Sequence, residues 1–239
     1  MYHFIDISHW QDGISIDSVA PNIDAIVVKA TGGTSYVDKS CDKFVQKCIA
    51  LGKPWGFYHY AHDGGSTADA TTEANYFYKN CENYFGDGIP ILDWEEDSCS
   101  VEWVNKFVNR IYGLTGIWPW IYANPWRFNQ GGVESNCGRW IASYPSVSHP
   151  TFEQATNWSV PSVDGGACAW QFCSDGRVDG YSSNLDCDLF FGDVKAWKSY
   201  AVGHPFVDVT NSAEGGNSES DDSGVTLEGN GYRVTIEKT

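Results

Sequence analysis

Basic side chains are scarce in this chain: 15 Lys and Arg stand against 31 Asp and Glu, a formal net charge of −16 over 239 residues. The deficit runs along the whole length, with net −11 over residues 1–201 and −5 over 202–239. No basic tail is available to grip a polyanion, which excludes nucleic acid and an anionic membrane surface as partners. No apolar run approaches 18 residues, so no membrane span is expected. No leader is visible either: Tyr2-His3-Phe4-Ile5-Asp6 passes straight into a strand pattern with no basic n-region or cleavage site. The eight cysteines (41, 48, 81, 99, 137, 168, 173 and 187) contain no Cys-x-x-Cys pair, which argues against zinc, and no other metal or cofactor is implied. Cys41 and Cys48 lie about 10 Å apart along a helical pattern, too far to bridge each other. Any disulfide therefore joins separate elements, and the other reading is that the thiols are small buried apolar residues. No internal repeat is evident.

What is present suits one large domain. Hydrophobic residues make up 42% and aromatics 15% of the chain, ample for a core. Short apolar, β-branched or aromatic runs at Tyr2–Ile7, Ala25–Ala30, Trp55–Tyr60, Ile89–Glu95 and Trp120–Ala123 read as strands. Helical patterns alternate with them at Asp38–Leu51 (Cys41, Phe44, Val45, Cys48 and Ile49 on one face), Ser66–Cys81 and Ser98–Gly113, the last with a capping serine at its start. Arg139–Ser143, Ala167–Phe172 and Asn184–Phe190 are further strand candidates, joined by Gly-, Pro- and Ser-rich stretches with little helix. The pattern predicts an α/β fold, an irregular TIM-like barrel with five βα units followed by three further strands. A doubly wound open sheet is the rival, but no Gly-rich phosphate loop follows the first strand. The barrel is expected over 1–201, an acidic Gly/Ser linker over 202–224, and a short hairpin-like tail over 225–239 around Glu228-Gly229-Asn230-Gly231.

In a barrel, reacting groups sit at the carboxyl ends of several strands. Asp6 closes the first strand, Asp93 and Glu95 the fourth, and Asp186 lies on the eighth. Residues two apart on a strand share a face, which puts Asp93 and Glu95 about 6–7 Å apart at their Cα atoms, a workable spacing for two carboxyls acting on one glycosidic bond. Glycoside cleavage needs a carboxyl that keeps its proton near neutrality, and neighbouring acids raise a carboxyl's pKa. Glu95, with the longer reach, is the candidate general acid, and Asp93 the group that stabilises developing positive charge or orients a substrate group that does. Tyr58, Tyr60, Tyr122 and Trp140 offer flat faces to sugar rings, with Gln171 beside them on the seventh strand. Most of the 11 Trp and 13 Tyr nevertheless serve as core and barrel filling. His9, His59 and His62 read as hydrogen-bonded structural residues, because adjacent strand positions face opposite sides.

Several segments resemble the lysozymes (N-acetylmuramidases) of glycoside hydrolase family 25, found in bacteria, fungi and phage. They are Phe4-Ile5-Asp6-Ile7-Ser8-His9-Trp10-Gln11, Val27-Val28-Lys29-Ala30-Thr31, Gly56-Phe57-Tyr58-His59-Tyr60, Leu92-Asp93-Trp94-Glu95, Ala169-Trp170-Gln171-Phe172 and Asn184-Leu185-Asp186-Cys187-Asp188. The match covers about residues 2–200 in the family's order. It implies the irregular barrel and cleavage of the β-1,4 bond from N-acetylmuramic acid to N-acetylglucosamine in peptidoglycan. The resemblance also implies Glu95 as the acid, completed by Asp6, Asp93 and Asp186, with Asp93 positioning the 2-acetamido group. No obligate protein partner is implied. Three features depart from the family pattern: Asp188, where members often carry Asn, the eight cysteines, and a tail resembling no wall-binding repeat. The expected source is a phage lysin made in a host cytoplasm and released to the cell wall, with which the lack of a visible leader is consistent, or an extracellular, secreted bacterial lysozyme. Two alternatives stand beside this reading. A chitinase-like barrel hydrolase also uses an Asp-x-Glu strand end, but the spaced aspartates it carries beforehand are replaced here by apolar Ile89–Leu92. An inactive cell-wall sugar-binding module has no reason to keep a costly acid cluster.

Overall fold

A computed structural model describes residues 1–202, together with the backbone of 225–229 and 232–236. Nine strands form one sheet: β1 (Tyr2–Ile7), β2 (Ala25–Gly32), β3 (Tyr36–Val37), β4 (Trp55–Tyr60), β5 (Ile89–Asp93), β6 (Trp120–Ala123), β7 (Arg139–Ala142), β8 (Ala169–Val178) and β9 (Tyr181–Phe190). The order β1-β9-β8-β7-β6-β5-β4-β2, closed by β1 on β2, makes an eight-strand barrel, and β3 is an extra strand on β2. Neighbours are parallel from β1 through β2 and β4 to β8, whereas β9 runs antiparallel to both β8 and β1. The helices are α1 (Ile16–Val19), α2 (Cys41–Ala50), α3 (Ala70–Cys81), α4 (Val101–Thr115), α5 (Pro125–Phe128), α6 (Phe152–Thr156) and α7 (Val194–Val202).

The two-residue period of the strands sorts their side chains into two cores. Phe4, Val27, Ile91, Trp120, Tyr122, Trp140, Ala169 and Phe190 meet inside the barrel. The alternate positions Ile5, Ile7, Ile26, Val28, Phe57, Leu92, Ile121, Ile141 and Trp170 face outward. There they pack on Phe44 and Val45 of α2, Phe77 of α3, and Val104, Phe107 and Val108 of α4. Burial on both faces explains why β5 reads as an unbroken apolar run. α7 plugs the amino end of the barrel. Trp197, 1% exposed, packs on Phe4, Trp120 and Phe190, and its indole N–H donates to the Trp55 carbonyl at 3.1 Å.

The structure moves several sequence-derived boundaries. β5 ends at Asp93 rather than Glu95, because the Trp94 indole donates to the Cys99 carbonyl at 2.8 Å and turns the chain off the barrel wall. The cap of α4 is Ser100, whose hydroxyl accepts from the Trp103 amide, and not Ser98. That helix runs on to Thr115, where Gly116 at φ 72° supplies the left-handed stop that a side chain resists. Ile49 is 49% exposed and lies off the packed face of α2. The stretch after Ala123 holds three helices, α5 to α7, where little helix was expected. β8 and β9 are also longer than their apolar cores and form one ten-plus-ten-residue hairpin.

The chain divides into two compact units, Met1–Phe206 and Val207–Thr239. In the second unit β10 (Val225–Gly229) pairs antiparallel with β11 (Tyr232–Ile236). Residues 203–224, nearly all of the expected linker, lie outside the described residues.

Candidate active site

The inner face of each strand changes character as it reaches the carboxyl rim. Phe4 is followed two positions on by Asp6, Val27 by Lys29, Ile91 by Asp93, Trp120 by Tyr122 and Ala169 by Gln171. β9 runs the other way, so its inward positions descend from Asp186 through Asp188 to Phe190. Antiparallel register sets Asp186 directly opposite Asp6, and sets Asp188 opposite Phe4 on one side and Gln171 on the other.

These positions converge on one cleft of about 280 Å³. Its lining contains all nine residues singled out from the sequence: Asp6, Asp93, Glu95, Asp186, Tyr58, Tyr60, Tyr122, Trp140 and Gln171. Ser8, Trp10, Lys29 and Tyr144 complete it. Trp10 stands 81% exposed at the rim, whereas Tyr122 and Trp140 are 8% and 2% exposed and form the floor.

A hydrogen-bond chain fixes the floor. Tyr122 donates to Gln171 Oε1 at 2.7 Å, and the Tyr144 hydroxyl donates to the same oxygen. With its oxygen so engaged, the Gln171 amide turns its nitrogen to Asp6 Oδ2, at 2.6 Å. Trp140 Nε1–H donates to Asp188 Oδ1 at 2.9 Å. On the opposite wall, Lys29 is held by Asp63 at 2.9 Å and lies over the rings of Tyr36 and Tyr60. Tyr60 donates to Glu96 at 3.1 Å. Arg127, 4% exposed, lies over the Trp94 ring, donates to the Glu95 carbonyl and pairs with Asp97 at 2.8 Å, which anchors the turn carrying Glu95.

The electrostatics follow from burying carboxyls side by side. Burial raises Asp93 well above the aspartate range, and Glu95 beside it raises it further. Burial raises Asp6 well above that range too, reinforced by Asp186 and opposed by the Gln171 hydrogen bond. Asp186 is lifted to about 6 by burial and by Glu95. Glu95 is also raised, first by the protein packed around its carboxyl, against the lowering effect of Asp93 and Arg127. The residue keeps an open outer surface, and its carboxyl lines the same cleft as Asp93. Burial and the neighbouring Glu95 carboxyl therefore both favour the protonated form of Asp93.

The histidines sit elsewhere. His59 is buried under α3, between Thr31 at 2.9 Å and Glu73 at 3.1 Å. His62 donates its backbone N–H to Glu73, and His9 joins Asp38 and Tyr36. All eight thiols are free, and Cys173 faces Cys187 across the β8–β9 ladder. Among the described residues no group of three or more His, Cys, Asp or Glu is arranged to hold a metal ion. Sequence reasoning did not assign Lys29, Arg127 or Asp188 to the site. Lys29 was within a quoted motif and Asp188 stood out as a departure, but no local signal marked Arg127.

The model of the family "Glycosyl hydrolases family 25" matches residues 5–181. Lysozyme M1 of Streptomyces globisporus is 30% identical over 210 residues, covering 80% of this chain and 68% of that protein. The N,O-diacetylmuramidase of a Chalaropsis species is 30% identical over 216 residues, covering 83% and 98%. The crystal structure of the bacterial lysozyme from Streptomyces coelicolor superposes with a TM-score of 0.68 at 27% identity, covering 85% of this chain and 98% of that one. A closed barrel with acids on its carboxyl rim, and a family match over most of its strands, identify the chain as a member of glycosyl hydrolases family 25, a glycoside hydrolase of the lysozyme kind.

Proposed function

We propose that this enzyme is a peptidoglycan muramidase that cleaves the β-1,4 bond between N-acetylmuramic acid and N-acetylglucosamine, with Glu95 as general acid. The observation that carries the reading is the gathering of Asp93, Glu95, Asp6 and Asp186 in one cleft, where burial raises the proton affinity of Asp93 and Glu95; we read these two as sharing one proton. Asp93 is 6% exposed and anchored on the strand, while Glu95 stands on the turn beyond it with room to reach a glycosidic oxygen. A 2-acetamido N–H donated to Asp93 favours its carboxylate form and drives the shared proton onto Glu95. Glu95 then protonates the departing sugar oxygen. The Asp6 and Asp186 carboxylates offset positive charge growing at the anomeric carbon, and Asp93 holds the acetamido group that assists it. Trp10, Tyr58 and Tyr60 supply ring surface along the cleft wall, and Tyr122, Trp140 and Gln171 shape the floor on which the reacting sugar rests. The enzyme acts on the wall outside the cell that makes it.

End-group analysis of fragments released from purified walls is the direct test. Muramic acid at the new reducing ends is the expected result, and glucosamine ends would overturn the assignment of the bond. Glu95→Gln should lose roughly 10²–10⁴-fold in wall clearing while keeping its fold, the range spanned by a general acid. Clearing at the wild-type rate by that variant removes Glu95 from its role.

A further inference from the structure

Asp188 takes part in none of the steps above, yet it has no exposed surface at all. Its surroundings fix where its proton must be. Trp140 Nε1–H is donor only and occupies Oδ1. Oδ2 receives no N–H or O–H from any neighbour, and Asp6 stands diagonally across the β1–β9 ladder on the same inner face, two residues on from the Phe4 that faces Asp188. Asp6 in turn already accepts from Gln171, whose amide is oriented by two tyrosine hydroxyls. Two bare carboxylates so placed would leave a buried charge with no donor.

We propose that Asp188 is a positioning residue that remains a neutral carboxylic acid and donates its Oδ2–H to Asp6, holding Asp6 as the ionised group that faces the substrate. The inference deepens the muramidase reading and rests on it for its kinetic arm. The groups facing Asp188 agree with this placement. Asp6 approaches from β1, Asp186 lies two residues away on β9, and Tyr144 follows β7. The neighbouring Cys187, with Cys173 facing it across the β8–β9 ladder, belongs to the opposite face of β9. Burial, then Asp6, then Asp186 all push Asp188 upward, whereas Gln171 and Asp188 itself push Asp6 down against its burial. With this placement the interior carries two neighbouring carboxyl pairs, Asp93–Glu95 at the rim and Asp6–Asp188 beneath it.

The test compares Asp188→Leu, which removes the donor, with Asp188→Asn, whose amide N–H replaces the O–H without a titratable proton. Loss of a hydrogen bond to a charged group predicts a drop of roughly 10- to 100-fold in kcat for Asp188→Leu. Asp188→Asn should recover most of that loss. Asp6 without its donor needs a higher pH to ionise, so the acid limb of kcat/KM should move up in Asp188→Leu and stay near its wild-type position in Asp188→Asn. Infrared difference spectra of the free protein at neutral pH provide a readout independent of activity. Wild type minus Asp188→Asn should contain the carbonyl band of a protonated carboxylic acid. Absence of that band, or an Asp188→Asn variant as impaired as Asp188→Leu, overturns the proposal even where the wild type clears walls. Failure of the wild type to clear walls, with the band present, counts against the muramidase reading and leaves the carboxylic acid assignment standing.

Discussion

The two ends of the barrel interior are built from the same inward-facing columns and behave as opposite solvents. At the amino end Phe4, Trp120, Phe190 and Trp197 interlock ring against ring. At the carboxyl end, one or two residues further along each strand, Asp6, Asp93, Glu95 and Asp186 share a single cleft. The difference shows how one half makes the other work. An aromatic plug that excludes water leaves the carboxyls above it poorly solvated from below, so their proton affinities rise. The charged rim does not stabilise the fold; it uses stability that the packed floor supplies.

Substitutions can pull these halves apart. The largest effect is expected at the rim with Asp93→Asn. Losing the group that both shares the acid's proton and accepts the acetamido N–H should lower kcat by roughly 10²-fold or more, with a much smaller change in wall binding measured by pull-down. Equal losses in rate and binding would mean that Asp93 only holds substrate. Next is Trp197→Ala at the floor. Deleting a fully buried tryptophan costs about 3–5 kcal/mol, a fall of roughly 6–20 °C in Tm, while the intact fraction assayed well below Tm keeps turnover within about threefold. A rate loss matching the rim variants would show that the plug and the acids cannot be separated.

Asp186→Asn should act on both halves in opposite directions. Its folded value near 6 exceeds the ordinary aspartate value, so the folded state binds the extra proton. Wild-type stability therefore falls as pH climbs from about 4 to about 6 and stays lowered above. The variant should gain roughly 1–3 kcal/mol at pH 7 and nothing near pH 3, measured by thermal unfolding, while losing turnover. The smallest effect is expected from Trp10→Ala, a rim side chain 81% exposed. KM for glycan should rise a few-fold with kcat little changed, because an open stacking surface contributes about 1 kcal/mol. Unchanged KM would leave Trp10 without a substrate.

Much of this arrangement was legible before any coordinates. Short apolar, β-branched and aromatic runs placed the barrel strands, and acids at strand ends marked the rim, because both signals are local. Three things were not legible. α7 is nine residues long and fully buries only Trp197 and Ala201, so its pattern is faint although its tryptophan closes the barrel. Glu95 was placed on a strand that in fact ends at Asp93, because the indole contact that bends the chain depends on Cys99. The partners of Asp188 and Arg127 are tertiary. Trp140 lies 48 residues from Asp188, and Asp97 lies 30 from Arg127, separations that no window along the chain can see.

The long β8–β9 hairpin carries a last consequence. α1 has only four residues, too short to roof the sheet beside it. Val178 and Leu185 from the outer part of the hairpin join Ile16 and Val19 in one apolar cluster and supply the missing cover. The tip is fastened there: the Asn22 amide donates to the Asp179 carbonyl at 2.9 Å, and Gly180, at φ 97°, leaves room of 2.3 Å for an added Cβ before the Ser18 carbonyl. The ribbon that ends in Asp186 and Asp188 is therefore moored at a point remote from the cleft. A methyl group at Gly180 would pry up that mooring and loosen the strand on which two of the interior carboxyls are mounted, so a lesion on the outer flank would be felt as lost chemistry at the rim.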